Sequence, residues 1–467
     1  MKKELFSSVL INNSYLKQLI FNLVNSLSRE DGLNISGDMV QSVFKWDEVI
    51  FTPHVLAGNG YFNLLKERIN INLHSLYDRI FTNALRGSGS LELVEFMLNR
   101  LLSDENNYYN INDLLAEAIA YNRLDVVNYI LDKYSPGDEH IQLDIYRAMA
   151  TTPISGDLNL LKRLNSMLDS NFVLDPLLTT TVFDRAALVG NIDFIAWLRE
   201  NRSQDLEHSD MYPRAIKGGH SHVVEYLINS FGLRETSNNG YPHLDLAAEL
   251  DQFSILKLLY QHGIRMVTES AMNTSASNGN INILCWLNDN TTGWCTVDAM
   301  EDAAYHLYID VVKWLHNNRT EGCSTTAIDR TATRTEPAAL EMIKWLLENR
   351  SEGCTDLAMF QAGIGGNLET VKFLNENTTV GYTDDLFTYC GRTDSVEIID
   401  YLNNNSNLFD VPQILVDDID TIFDAESVKT FNWFLDNFQF TKEQLIYLKN
   451  EHPRSTKINQ IINEKYL

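Results

Sequence analysis

Five cysteines and eleven histidines are the side chains of this chain best suited to bind metal or carry out chemistry, and their spacing argues against both uses. A zinc site wants Cys-x-x-Cys or Cys/His pairs at short range, and none is present. Cys295, Cys323 and Cys354 instead recur in the similar phrases TGWCT, EGCST and EGCTD, which places them at equivalent points of successive units. Equivalent points of stacked units stand roughly 10 Å apart, whereas a disulfide needs Cα atoms within about 7 Å, so these three read as small buried residues. Cys285 and Cys390 have no partner in sequence. His306 and His316 fall on different predicted helices, with no nucleophile beside either. There is no P-loop, His-Glu-x-x-His or Gly-x-Ser-x-Gly, and the GIGGN phrase at 363–367 lies in a turn and not after a strand. No catalytic residue, cofactor or metal is expected. The Asn-x-Ser/Thr matches at Asn201, Asn318, Asn349 and Asn377 sit at helix ends, where Asn serves to terminate the helix.

The recurrence of these phrases has one cause, an internal repeat. GNIDFIAWLRENRS from Gly190, GNINILCWLNDNTTGWCT from Gly279, VVKWLHNNRTEGCSTTA from Val311, MIKWLLENRSEGCTDLA from Met342 and GNLETVKFLNENTT from Gly366 are one unit written five times. With Gly190 as anchor, the pattern asks for apolar residues four, five and eight places on, an aromatic seven places on, and small residues three or four places back. Anchors follow at Gly60, Gly89, Asn122, Gly156, Gly190, Gly219, Asp251, Gly279, Leu307, Ala338, Gly366, Asp394 and Glu426. The steps run from 28 to 34 residues and make about thirteen units.

Positions four, five, seven and eight lie on one side of a 3.6-residue helix, so Phe194, Ile195, Trp197 and Leu198 form a single predicted buried stripe on the second helix of their unit. Trp286, Trp314, Trp345 and Trp433 take the aromatic position elsewhere and are expected to be mostly buried. A shorter first helix precedes the anchor, with pairs such as Ala186/Ala187, Ala247/Ala248 and Ala303/Ala304 allowing close helix approach. The anchor is the tight turn, which favours Gly, Asn or Asp because its backbone is left-handed. At Leu307 and Ala338 a differently built turn is expected. His220 fills the slot occupied by Asn191, Asn280 and Asn367 in other units and reads as a turn hydrogen-bonder. A hairpin of about 30 residues cannot bury its own apolar faces, so the expected fold is an all-α helical-hairpin solenoid.

The order Ala-Ala, Gly-Asn/His, Val-Val, Trp/Tyr-Leu resembles ankyrin repeats. AALVGNIDFIAWL from Ala186, AIKGGHSHVVEYLI from Ala215 and DLAAELDQFSILKLLYQHG from Asp245 carry the likeness over residues of about 50 to 440. The Thr-Pro-Leu-His opening of that family is approached only by Gly240, Tyr241, Pro242 and His243, and the phrases WLHNNRTEGC and WLLENRSEGC are similar to divergent ankyrin arrays of protists. The resemblance implies a protruding hairpin finger between units, which steps of 28 residues leave no room for. The fingers are therefore expected to be shortened or absent in the second half. Steps of 28 are also too short for tetratricopeptide or HEAT arrays.

No run of apolar residues reaches the ~18 of a membrane span, and MKKELFSSVLINN makes a poor signal peptide, so the expectation is a cytoplasmic chain, with the nucleus open. The net charge of −26 argues against nonspecific binding to nucleic acid or anionic lipid and for a monomer. Residues 1–50 carry apolar spacing for two short amphipathic helices, read either as a cap on the array or as an F-box-like segment that docks a ubiquitin-ligase core. Residues 441–467 read as the opposite cap.

Two function classes remain: a non-catalytic scaffold that grips another protein, and a substrate-recognition subunit whose docking lies in the flanks. In ankyrin-like stacks the residues just before each anchor face the concave groove. Here they are Tyr121, Leu188, Val189, Lys217, Glu249, Tyr305, His306 and Arg392, the candidate binding residues. Exposed Tyr and Arg commonly anchor interfaces.

Overall fold

The computed structural model describes residues 77–102, 110–134, 143–168, 180–381, 384–405 and 419–466, except 88 and 438, together with residues 56, 57, 63, 65 and 172. The 1–50 segment and the Gly60 turn lie outside the described residues. Among the described residues regular structure is helical, with a single isolated β-bridge joining Thr236 to Pro242. Helices alternate as short first and longer second members of antiparallel pairs, for example Val297–Tyr305 with Ile309–Asn318. Two compact units are present: residues 1–186 with 193–208, and residues 187–192 with 209–467. In each, packing is local. First helices such as Glu269–Ser277 and Val297–Tyr305 lie against one another, and each holds its own second helix. Alanines at 247, 248, 303 and 304 are wholly buried at those contacts, where a larger side chain would hold the helices apart.

The turns are left-handed wherever the pattern places Gly, Asn or Asp and the backbone is described from both sides. Gly156, Gly190, Gly219, Gly279 and Gly366 have φ between 70 and 81°, and Asn122, Asp251 and Asp394 between 54 and 60°. The residue after each closes a six-to-one hydrogen bond onto the first helix, as from His220 N to Ala215 O (3.0 Å) and Asn280 N to Ser275 O (2.8 Å). Leu307 corrects the expectation of a different turn. Its φ is 66°, and Tyr308 N reaches Ala303 O at 2.9 Å, so it adopts the same motif despite its side chain.

Ala338 is a second correction, because it lies inside the helix Pro337–Asn349 and not in a turn. The polar residues Asp245, Asn273, Glu301 and Asp329 follow one another at 28-residue steps on first helices, so the first helix Thr326–Thr331 keeps the 28-residue register. Three residues are added after it, between the two helices. They move the turn to 332–336 and let Pro337 open a second helix one turn longer than its neighbours, Pro being tolerated at a helix start because its missing N–H has no helical partner there.

Those four polar residues also join consecutive units. The Asp245 carboxylate accepts from Thr268 N (3.0 Å) and its hydroxyl, Asn273 bonds Thr296 N (3.0 Å), Glu301 accepts from Ser324 N (2.9 Å), and Asp329 from Thr355 N (2.9 Å). Thr268, Thr296 and Thr355 in turn cap the first helices that follow them. These bonds occupy the place where a finger would stand. Only the 32-residue step between Gly219 and Asp251 keeps a short hairpin, closed by Ser237 N to Tyr241 O (2.9 Å) and His243 N to Glu235 O (2.9 Å).

The aromatic position departs from expectation as well. Phe194, Ile195 and Leu198 are buried, but Trp197, Trp286, Trp314 and Trp345 are only half-buried, and Trp433 alone of the five is buried. The helix wheel explains it, since position seven lies about 100° from the centre of the stripe formed by four, five and eight. A ring there packs sideways, on the flank of the preceding unit: Trp286 meets Tyr260 edge-on at 5.1 Å, and Trp345 meets His316 at 5.4 Å. Four residues after the aromatic, an Asn side chain donates to its carbonyl, as Asn318 does to Trp314 O and Asn349 to Trp345 O, both at 2.8 Å. Asn201 and Asn377 do the same, so all four sequon asparagines terminate second helices.

Candidate binding surface

Because positions three, four, seven and eight before the turn are packed inward on first helices, positions one, two and five before it share the remaining arc of roughly 100°. The candidate residues lie on this arc or at the turn. Tyr121 (38% exposed) ends the helix Ile111–Ala120 in the first unit. In the second unit Val189, Lys217, Glu249, His306 and Arg392 are exposed, while Leu188 and Tyr305 are half-buried. Leu188 is committed through its backbone, for its carbonyl receives His220 Nε2 at 3.0 Å, which is the turn-bonding role expected of that histidine. The same link recurs from Asn278 to Glu249 O (3.0 Å) and from Ser427 to Arg392 O (2.9 Å), so helix-end carbonyls are satisfied by the next unit.

The structure gathers Tyr305 and His306 into a larger cluster. Arg330 stacks over the Tyr305 ring at 4.7 Å and Arg334 at 5.5 Å, while His306 meets Tyr305 edge-on at 5.1 Å and stacks on Tyr308 at 6.1 Å. The His306 ring N–H donates to Asp302 O at 2.9 Å, and Asp302 pairs with Arg330 at 2.7 Å. Arg392 stacks on Tyr389 at 5.7 Å, and Tyr389 rests on Phe360 at 5.2 Å. Arg330, Arg334 and Tyr389 escaped the sequence reading. A signal existed: Arg330 and Arg334 stand 28 residues after Asp302 and His306, but the misplaced anchor at Ala338 hid the correspondence.

The cysteines offer no reactive centre. All five are free thiols, and burial raises every one. Cys323 and Cys354 are pushed to about 11 and Cys390 to about 12, leaving them protonated at neutral pH. Cys295 and Cys323 are buried as expected, whereas Cys354 is only half-buried. The GIGGN phrase ends the helix Asp356–Ile364 and forms the Gly365–Gly366 turn. No helix among the described residues is long and apolar enough to cross a membrane. A scan of the sequence against protein-family models finds no match, and a search of curated proteins finds no relative.

Proposed function

We propose that this chain is a non-catalytic interaction scaffold with an ankyrin-like array of about thirteen hairpins, which binds another protein through the concave face formed by the ends of its first helices. One observation carries the reading. The second helices and turns spend their side chains on packing and on unit-to-unit bonds, while the first-helix ends hold an aromatic and guanidinium cluster around Tyr305 that no helix covers among the described residues. Tyr121, Leu188, Val189, Lys217, Tyr305, His306 and Arg392 are the proposed contact residues. The partner is a protein, the scaffold is a monomer, and its place is the cytoplasm. Tagged full-length chain and a variant with Tyr121→Ala, Tyr305→Ala and Arg392→Ala test this, with co-purifying proteins identified by mass spectrometry. Helicity and melting should be nearly unchanged in the variant and capture weakened; undiminished capture would place the binding surface elsewhere.

A further inference from the structure

Charge is distributed unevenly along the second unit. Between Met211 and Thr393 the chain carries 13 Lys and Arg against 22 Asp and Glu. At the three first-helix positions that share the open arc the balance reverses. Arg214, Lys217, Arg330, Arg334 and Arg392 stand there against Glu249 and Asp302 alone. The next first helix, Ile419–Asp424, carries Asp424 in that place and closes the stripe.

The helix dipole favours cations at any helix C-terminus, so it alone would put them at the ends of both helices of a pair. The second helices do otherwise. Ser221–Phe231, Phe253–Gln261, Ile281–Asn290, Pro337–Asn349 and Leu368–Asn377 have no basic residue in the last turn, and Asp289, Glu348 and Glu376 lie there instead. The cations are therefore selected by face and not by helix end. Two of them are partly neutralised, Arg330 by Asp302 and Arg334 by Glu336, each at 2.7 Å. Lys217 and Arg392 are exposed and make no ion pair among the described residues.

We infer that the first-helix stripe from Arg214 to Arg392 binds an acidic, extended polypeptide segment, a proposal that rests on the scaffold reading and names the chemistry of its partner. Adjacent first helices stand about 10 Å apart. An extended chain advances about 3.3–3.6 Å per residue, so a carboxylate at every third position meets successive helices. The rings of Tyr305 and Tyr389, each with a guanidinium over it, offer flat contact to apolar residues between the carboxylates. The acidic remainder of the surface repels the same segment elsewhere and so keeps it in register.

Fluorescence anisotropy of the full chain with a labelled peptide bearing Glu at every third position tests this, beside a peptide with Lys in those places and oligo(dT). The Glu peptide should bind, weaken as ionic strength rises, and lose roughly tenfold or more in affinity with Lys217→Glu and Arg392→Glu combined, with the circular dichroism spectrum unchanged. Tighter binding of the Lys peptide, no binding of the Glu peptide, or indifference to the double variant overturns the acidic partner. Oligo(dT) binding as tight as the Glu peptide assigns the stripe to nucleic acid and overturns it too. The scaffold reading fails separately, when capture of co-purifying protein survives the loss of Tyr305.

Discussion

Substituting Gly218 by Ala separates local helix preference from packing between units. Gly218 follows the helix Met211–Lys217 with φ −75° and ψ −9°, an ordinary right-handed backbone. From that alone Ala should stabilise the chain by about 0.4–1 kcal/mol, because it restricts the unfolded state. The neighbouring unit reverses the sign. A Cβ at Gly218 would lie 2.2 Å from Leu188 O and 2.6 Å from the His220 ring, which is bonded to that same carbonyl. Both neighbours are held, one as backbone and one by its hydrogen bond, so relief requires the units to part by about 1 Å. Overpacking of this kind costs about 1–3 kcal/mol, and a carbonyl deprived of its partner about 1–3 more. After the gain from Ala, the expected loss is about 2–4 kcal/mol. Gly353→Ala is the comparison, since its φ is +71° but no atom lies within 4 Å of the added carbon, so only left-handed strain of about 1 kcal/mol applies. Urea unfolding followed by far-UV circular dichroism measures both, and hydrogen exchange over 187–220 locates the opening. A Gly218→Ala chain as stable as the parent, or a larger cost at Gly353, would refute the reasoning.

Leu315→Ala should destabilise by about 2–5 kcal/mol and Trp314→Ala by no more than about 2–3, because Leu315 is 1% exposed and the indole is half-buried, an order that paired urea titrations check. The hydrogen bond from the Arg350 guanidinium holds the Glu352 carboxyl below its ordinary value of 4.5, so the unfolded chain binds this proton more readily. Its contribution to stability is therefore present above about pH 4.5 and is lost as pH falls through the folded value; Glu352→Gln should flatten the acid limb of the stability profile, and an unchanged limb would count against the pair. Cys390 and Cys323 should resist iodoacetamide in the native chain at neutral pH and react on denaturation, and rapid native labelling would show that their burial is wrong.

Periodicity in the sequence determined the paired helices, the position of most turns and the apolar stripe, because a residue's place on a helix wheel depends only on its number along the chain. The terminating role of Asn318 and Asn349 and the turn-bonding role of His220 were legible for the same reason, each being a short-range bond repeated at a constant offset. Tertiary structure decided whatever depends on the neighbouring unit. Trp314 is apolar and periodic, yet its depth is set by the helix beside it. Leu307 holds a left-handed turn that its own side chain disfavours, because the flanking helices and the bond from Tyr308 to Ala303 over-determine it. The three residues added before Pro337 could be located only once Asp329 was seen in step with Glu301, since an insertion shifts one helix and leaves the other in register. Likewise, scattered arginines became a stripe on one face only when consecutive first helices were stacked, for charge segregation is a property of surfaces and composition has none.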